Sequence, residues 1–222
     1  MLCSTDPAKK EHVMDLLEPL TRPLWLVMSM PLSIGDVLGF VTGLLCVWLT
    51  TRASIWNFPT GIINSAILGL VFLQQRLFAD ASLQIVFIVL SILGWQQWHA
   101  LKQRLNNNPI VRSSFKQQQQ LVIAAVLLIS VLTLLLHWAK GSVPLMDATI
   151  TALSLCAQWQ LNRRQLENWL WWIAVDVISI PVYWSRGLPL IALLYVVFLL
   201  LCIKGWFEWR RQGLNDLQVS LA

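Results

Sequence analysis

Asn168, Trp169, Trp172 and Asp176 are spaced so that, on a helix, they fall within an arc of roughly 100°. One face then offers an amide, two indoles and a carboxylate. A carboxylate inside an apolar run is costly and faces a cavity or a partner by default. That set of groups can hold and orient a small polar ligand. The competing reading of the same face is packing plus anchoring of Trp at a membrane interface. Catalysis finds no support beside it. Cysteines 3, 46, 156 and 202 are scattered without C-x-x-C spacing, and His12, His99 and His137 stand alone. No G-x-x-x-x-G-K-[ST], H-E-x-x-H or Ser/His/Asp order is present, so neither ATP hydrolysis nor a metal or cofactor is implied.

A second polar stretch, Trp56-Asn57-Phe58-Pro59-Thr60-Gly61-Ile62-Ile63-Asn64, carries Asn57 and Asn64 seven residues apart, nearly eclipsed on one helix face. Pro59 frees a carbonyl and Gly61 permits close backbone approach, a pattern of kinked spans at transport sites and hinges. Interhelical polar glue explains the two asparagines equally well. Gln84 opens a stripe continuing through Phe87, Ser91 and Trp95, and Tyr195 opens a comparable one through Phe198, Cys202 and Trp206. Gln158-Trp159 adds a further amide and indole. Each could bind a ligand or satisfy a backbone carbonyl. Asp36, Asp147 and Asp80 read as helix-start carboxylates, which complement the dipole there.

The elements that carry these residues repeat. Trp48 and Trp159, Arg52 and Arg163, Asn57 and Asn168, Phe87 and Phe198, and Gly94-Trp95-x-x-Trp98 and Gly205-Trp206-x-x-Trp209 are each 111 residues apart. A period this long in an apolar chain points to two fused membrane halves. Only 12% of the 222 residues are charged while 57% are hydrophobic, far from a soluble domain. The net charge of +5 sits in loops and termini, which suits membrane orientation and excludes nucleic acid as a partner. Residues 1–18 mix acidic and basic side chains without an apolar core, unlike a signal peptide.

Apolar runs predict seven spans, Ile34–Thr50, Ala53–Leu73, Ala81–Leu101, Leu121–Ala139, Leu145–Leu161, Glu167–Trp184 and Leu188–Trp206. Before them, proline-broken Val13–Met30 reads as an amphipathic helix at the interface. Spans one to three match spans five to seven, and the unmatched fourth restores direction. The expected fold is an all-α membrane protein of seven transmembrane helices, a 3+1+3 arrangement of two parallel three-helix repeats. Its parts are a tail and interfacial helix (1–33), first repeat (34–101), loop and linker helix (102–139), second repeat (140–209) and C-terminal tail (210–222). Lys and Arg number nine on the side of the C-terminus against six on the other, placing the C-terminus in the cytoplasm and the N-terminus outside. Trp98, Trp138, Trp184, Trp206 and Trp209, near span ends, are expected in the aromatic belt.

Two blocks together carry a family resemblance. One is Trp56-Asn57-Phe58-Pro59-x-Gly61-Ile62-Ile63-Asn64 with Leu77-Phe78-Ala79-Asp80-x-x-Leu83-Gln84 and Gly94-Trp95-x-x-Trp98. The other is Gln158-Trp159-x-x-x-Arg163-Arg164-x-x-Glu167-Asn168-Trp169-x-x-Trp172 with Asp176-Val177-Ile178-Ser179. From about residue 34 to 210 the chain resembles the PnuC family of bacterial nicotinamide riboside transporters. The resemblance implies a SWEET-like 3+1+3 fold and facilitated diffusion of nicotinamide riboside across the inner membrane for NAD biosynthesis. It further implies trapping by a separate cytoplasmic riboside kinase, assembly as a homotrimer in membrane lipid, and a substrate held partly by Trp169 and Trp172. The residues fit: an indole face attracts a pyridinium cation by about 0.5–2 kcal/mol. Asp176 would be the counter-ion, and Asn57, Asn64, Gln84, Gln158, Asn168 and Tyr195 would serve the ribose and carboxamide.

Overall fold

A serine–aspartate box starts the first membrane helix. Ser33 Oγ accepts from the Asp36 backbone N–H at 3.2 Å, and Asp36 Oδ2 accepts from the Ser33 N–H at 2.9 Å. Two orphan donors are thereby satisfied, as a capping box does, and Asp36 has the helix-start role expected of it. The computed structural model describes residues 23–27, 30–74, 78–105, 109–138 and 144–221. Ahead of the box, β1 (Pro23–Val27) and β2 (Met30–Ser33) form a two-stranded antiparallel hairpin, pairing Leu26 with Pro31 and Val27 with Met30. This corrects the C-terminal part of the predicted Val13–Met30 helix; residues 13–22 lie outside the described residues. Pro23 tolerates the first position of a strand and Pro31 cannot continue a helix, so the prolines favour extended chain.

Seven helices follow: α1 (Ile34–Thr51), α2 (Asn57–Gln74), α3 (Phe78–Leu105), α4 (Phe115–Trp138), α5 (Pro144–Asn162), α6 (Asn168–Ser185) and α7 (Pro189–Leu221). All seven predicted spans fall on these helices. Two ends differ. Helix α4 begins at Phe115, because Ser114 Oγ accepts from the Gln117 N–H while Gln117 Oε1 accepts from the Ser114 N–H, a second reciprocal cap. Helix α7 runs on through the segment read as a tail.

Five helices, α1, α2, α3, α4 and α7, are long and apolar enough to cross a membrane. Helices α5 and α6 are less apolar because they bury polar groups. Helix α5 encloses Ser154, Gln158, Gln160 and Asn162, and α6 encloses Asn168, Asp176 and Ser179. At 19 and 18 residues they still reach about 27–29 Å, close to the thickness of a hydrocarbon core. Helix α4 is the opposite case. It is the most apolar, with mean hydropathy 2.6, and buries Ala125 alone. Sequential neighbours pack together within α1–α3 and within α5–α7; α4 lies on α5, and the halves meet where α1 packs on α7 and α3 on α5.

Candidate ligand-binding site

The helix pairs α1–α2 and α5–α6 turn in the same way. Ala53 and Arg164, 111 residues apart, both adopt the left-handed region (φ 49° and 55°). Three residues past each turn's polar residue, an asparagine closes it: Asn57 Nδ2 donates to the Ser54 carbonyl at 2.6 Å, and Asn168 Nδ2 to the Gln165 carbonyl at 2.7 Å. Both asparagines are buried, so their matched positions serve the scaffold. Asn168 retains a buried Oδ1 with no protein partner.

Two tryptophans then lock the halves reciprocally. Trp98 Nε1 on α3 donates to the Leu161 and Asn162 carbonyls of α5 (3.3 and 3.1 Å), while Trp209 Nε1 on α7 donates to the Thr50 carbonyl of α1 at 2.9 Å. Thr50 and Leu161 are themselves repeat-equivalent. Trp98 and Trp209 are 1% and 0% exposed, which corrects their placement in the aromatic belt. The Thr50 and Leu161 carbonyls already accept from the Ala53 and Arg164 N–H groups of their own turns at 2.9 Å, and each buried indole N–H adds a second donor from the other half. Trp138 and Trp184 are exposed, as a headgroup belt requires. Phe58 meets Trp98 edge-on at 5.0 Å and its repeat-equivalent Trp169 meets Trp209 edge-on at 5.5 Å. Both fit because a glycine faces them: a Cβ on Gly94 would lie 2.4 Å from the Phe58 ring, and one on Gly205 2.5 Å from the Trp169 indole. Trp169 is therefore mostly a core residue, although its buried Nε1 has no partner.

Two helical turns beyond Trp169, the symmetry fails. Asp176 and Ser179 on α6 are almost fully buried, and Asp176 Oδ2 and Ser179 Oγ have no hydrogen-bond partner. Position 176 is matched by Ser65 in the first half. Trp172, half-buried, packs at the edge of the aromatic core. Helix α7 brings Cys202 beside Asp176 and the Tyr195 hydroxyl near Ser179 and Tyr183. The Tyr195 ring stacks on Tyr183 at 5.2 Å and meets Phe198 edge-on at 5.9 Å. The Phe198 ring reaches the small Gly43 of α1, which also lies under the Asn64 amide. Asp176, Ser179, Tyr183 and Tyr195 thus gather where α6 packs on α7, with Trp172 one turn away on α6 and Phe198 reaching across to α1.

Other predicted residues sit elsewhere. Asn64 Nδ2 donates to the Gly39 carbonyl at 2.7 Å and to Thr42 Oγ1 at 2.9 Å, tying α2 to α1. Gln84 packs by Gly69 between α2 and α3. Gln158 Nε2 donates to Asn162 Oδ1 at 3.0 Å, and Asn162 Nδ2 to the Leu90 carbonyl of α3 at 2.8 Å, a polar bridge between the halves. Trp159 is 45% exposed on the outer face, with the Arg163 guanidinium 4.1 Å from its ring centre. Its counterpart Trp48 holds Arg52 at 5.1 Å in the same way. Pro59 stands in the first turn of α2, where its missing N–H breaks no helical bond, so it need not kink the span; the proline inside a helix is Pro181. Gly61 lies against Cys46 and Ser91. Asp147 is in the first turn of α5 and pairs with Arg186 at 2.7 Å. Sequence reasoning missed Ser179, Tyr183 and Asn162 as members of these clusters. The first two continue the Asp176 face at helical spacing, a signal that was readable.

Long apolar helices that bury a carboxylate, hydroxyls and aromatic groups between them mark a multi-pass membrane protein. The sequence model of the nicotinamide mononucleotide transporter family matches residues 33–211. The nicotinamide riboside transporter PnuC of Escherichia coli is 25% identical over 206 residues, covering 80% of this chain and 85% of its own. The riboflavin/roseoflavin transporter RibM of Streptomyces davaonensis is 26% identical over 186 residues, covering 82% and 87%. A crystal structure of the vitamin B3 transporter PnuC superposes with a TM-score of 0.68 at 22% identity, covering 92% of this chain and 88% of that one. The chain belongs to the nicotinamide mononucleotide transporter family and is a membrane transporter, not an enzyme.

Proposed function

We propose that this protein carries nicotinamide riboside across the bacterial inner membrane by facilitated diffusion, supplying NAD biosynthesis, with a separate cytoplasmic riboside kinase trapping the substrate. The observation that carries the reading is the family match over residues 33–211, with relatives from Escherichia coli and Neisseria mucosa that bear the name nicotinamide riboside transporter. The α6 face agrees with it chemically. An unpaired buried carboxylate is strongly unfavourable, and a pyridinium cation against Trp172 would supply the missing partner for Asp176. Ser179 Oγ, Asn168 Oδ1 and Trp169 Nε1 are further open groups for hydroxyls or the carboxamide, with Asn64 and Tyr195 at the margin. Asn57, Gln84, Gln158 and Trp159 enter the site only through movement of the halves, for which Gly61 and Pro59 would be the hinge. A phosphorylated ligand fits less well, since no span carries several basic residues.

In this proposal the fold is a 3+1+3 arrangement of parallel repeats with α4 as the linker. It is supported by the reciprocal bonds of Trp98 and Trp209 and by the equivalent contacts of α1 with α7 and α5 with α3. The C-terminus is cytoplasmic and the N-terminus external, from the Lys/Arg bias, and three copies form the working assembly. Counterflow of labelled nicotinamide riboside in proteoliposomes tests the mechanism. Uptake should ignore imposed proton or sodium gradients; accumulation driven by either gradient would refute uniport.

Flavin transport is the second reading, because the riboflavin/roseoflavin transporter matches as much of this chain at 26% identity. A neutral flavin ring has no use for a counter-ion. Asp176→Asn should therefore abolish transport of the cationic riboside selectively, whereas a flavin carrier would lose little.

A further inference from the structure

Outside the Asp176 face, α4 and α5 form an open cavity of 390 Å³. Gln117 and Gln120 of α4 line it with amides; Arg163 and Trp159 stand at its side, and Leu121 forms an apolar wall. Gln160 of α5, 1% exposed, forms its floor, with a buried Oε1 that has no partner. The cavity straddles a polarity boundary. Along α4 the run Gln117–Gln120 gives way at Leu121 to purely apolar chain, the transition expected between headgroup and acyl levels. Helix α4 turns most of its surface away from the protein, so the cavity opens toward lipid.

The charge around it is positive. Arg163 is exposed and Lys116 adjoins Gln117. Arg112 is drawn close because Val111 bridges Gln165 in the α5–α6 turn, with the Val111 N–H donating to the Arg164 carbonyl at 3.1 Å. The nearby carboxylate, Glu167, is occupied: its Oε2 accepts from the Ser113 N–H at 2.8 Å.

We infer that this cavity is a binding site for an anionic phospholipid headgroup of the phosphatidylglycerol type. Arg163 meets the phosphate, the Gln117 and Gln120 amides meet the phosphate and the glycerol hydroxyls, and an acyl chain descends along Leu121. Basic pockets between membrane helices recognise lipid headgroups in this way. A phosphatidylcholine headgroup offers no hydroxyl to these amides and brings its own cation toward Arg163.

Native mass spectrometry of the full chain, delipidated and exposed to equal phosphatidylglycerol and phosphatidylcholine, tests the inference. Wild type should retain the anionic lipid at least about fivefold over the zwitterionic one. Arg163→Gln should reduce that preference to below about twofold, Arg163→Lys should keep most of it, and Arg210→Gln, outside the cavity, should leave it unchanged. If Arg163→Gln fails to fold, the Arg112→Gln/Lys116→Gln pair carries the same prediction in a weaker form. Equal retention of both lipids by wild type, or an unchanged preference in Arg163→Gln, overturns the assignment. So does displacement of bound phosphatidylglycerol by millimolar glycerol 1-phosphate, which would make the occupant a soluble phosphate ester.

Discussion

The Trp98–Trp209 lock and the Asp176 face lie within a few turns of each other, yet they follow opposite rules. At the lock, residues 111 apart make the same contacts: two indoles cross between halves, and two glycines admit Phe58 and Trp169. The Trp98 and Trp209 indole N–H groups there are satisfied, although Trp169 Nε1 beside them is not. At the Asp176 face, a carboxylate replaces the serine of the other half, and Asp176 Oδ2 and Ser179 Oγ lack partners. Native proteins seldom leave buried polar atoms unpaired. In the proposed function the duplicated positions hold the two halves together, and the unmatched ones meet a ligand that is itself asymmetric.

Breaking the lock should have the largest effect on folding. Trp209→Ala removes a fully buried indole and its bond to the Thr50 carbonyl, so we expect a loss of about 3–5 kcal/mol of stability, read as a lowered unfolding midpoint in detergent. Trp98→Ala should match it, because the two sites are equivalent; a large inequality would break the symmetry argument. Gly205→Ala is milder. A Cβ 2.5 Å from Trp169 forces a shift, at about 1–3 kcal/mol, and a stability close to wild type would contradict the packing described.

The face should respond in the other currency. Asp176→Asn keeps size and removes charge, so the unfolding midpoint should hold or rise while riboside transport falls at least about tenfold, roughly 1.4 kcal/mol. Asn64→Ala sharpens the boundary between the regions. It deletes two bonds between α1 and α2, worth about 0.6–1.7 kcal/mol in membrane helices, and its effect on riboside affinity should be smaller than that of Trp172→Ala. The smallest effect belongs to Arg52→Ala, where an exposed cation–π contact is worth about 0.5–1 kcal/mol.

Much of the scaffold was legible in the sequence. The apolar runs located all seven helices, the 111-residue offset paired the halves, and Asp36 marked a helix start. The lock was not legible, because its acceptors are backbone carbonyls, which no residue type betrays. Trp98 and Trp209 therefore looked like interfacial anchors. Trp159 misled for a related reason: in an apolar helix, hydrophobic contrast does not distinguish the face toward lipid from the face toward protein, and Trp159 turned outward while Gln158 turned in. The hairpin at 23–33 escaped because prolines interrupt a helix without saying what replaces it. The face around Asp176 was half visible. Asp176, Trp172 and Tyr195 stood out by type, while Ser179 and Tyr183 required only that the same helical spacing be followed further.

The division between lock and face is tested most directly by calorimetric titration of nicotinamide riboside into purified Trp172→Ala, at a temperature well below the unfolding midpoints of variant and wild type. The account predicts at least tenfold weaker binding with an unchanged fold. Wild-type affinity in that variant would contradict it and move the substrate away from the α6 face.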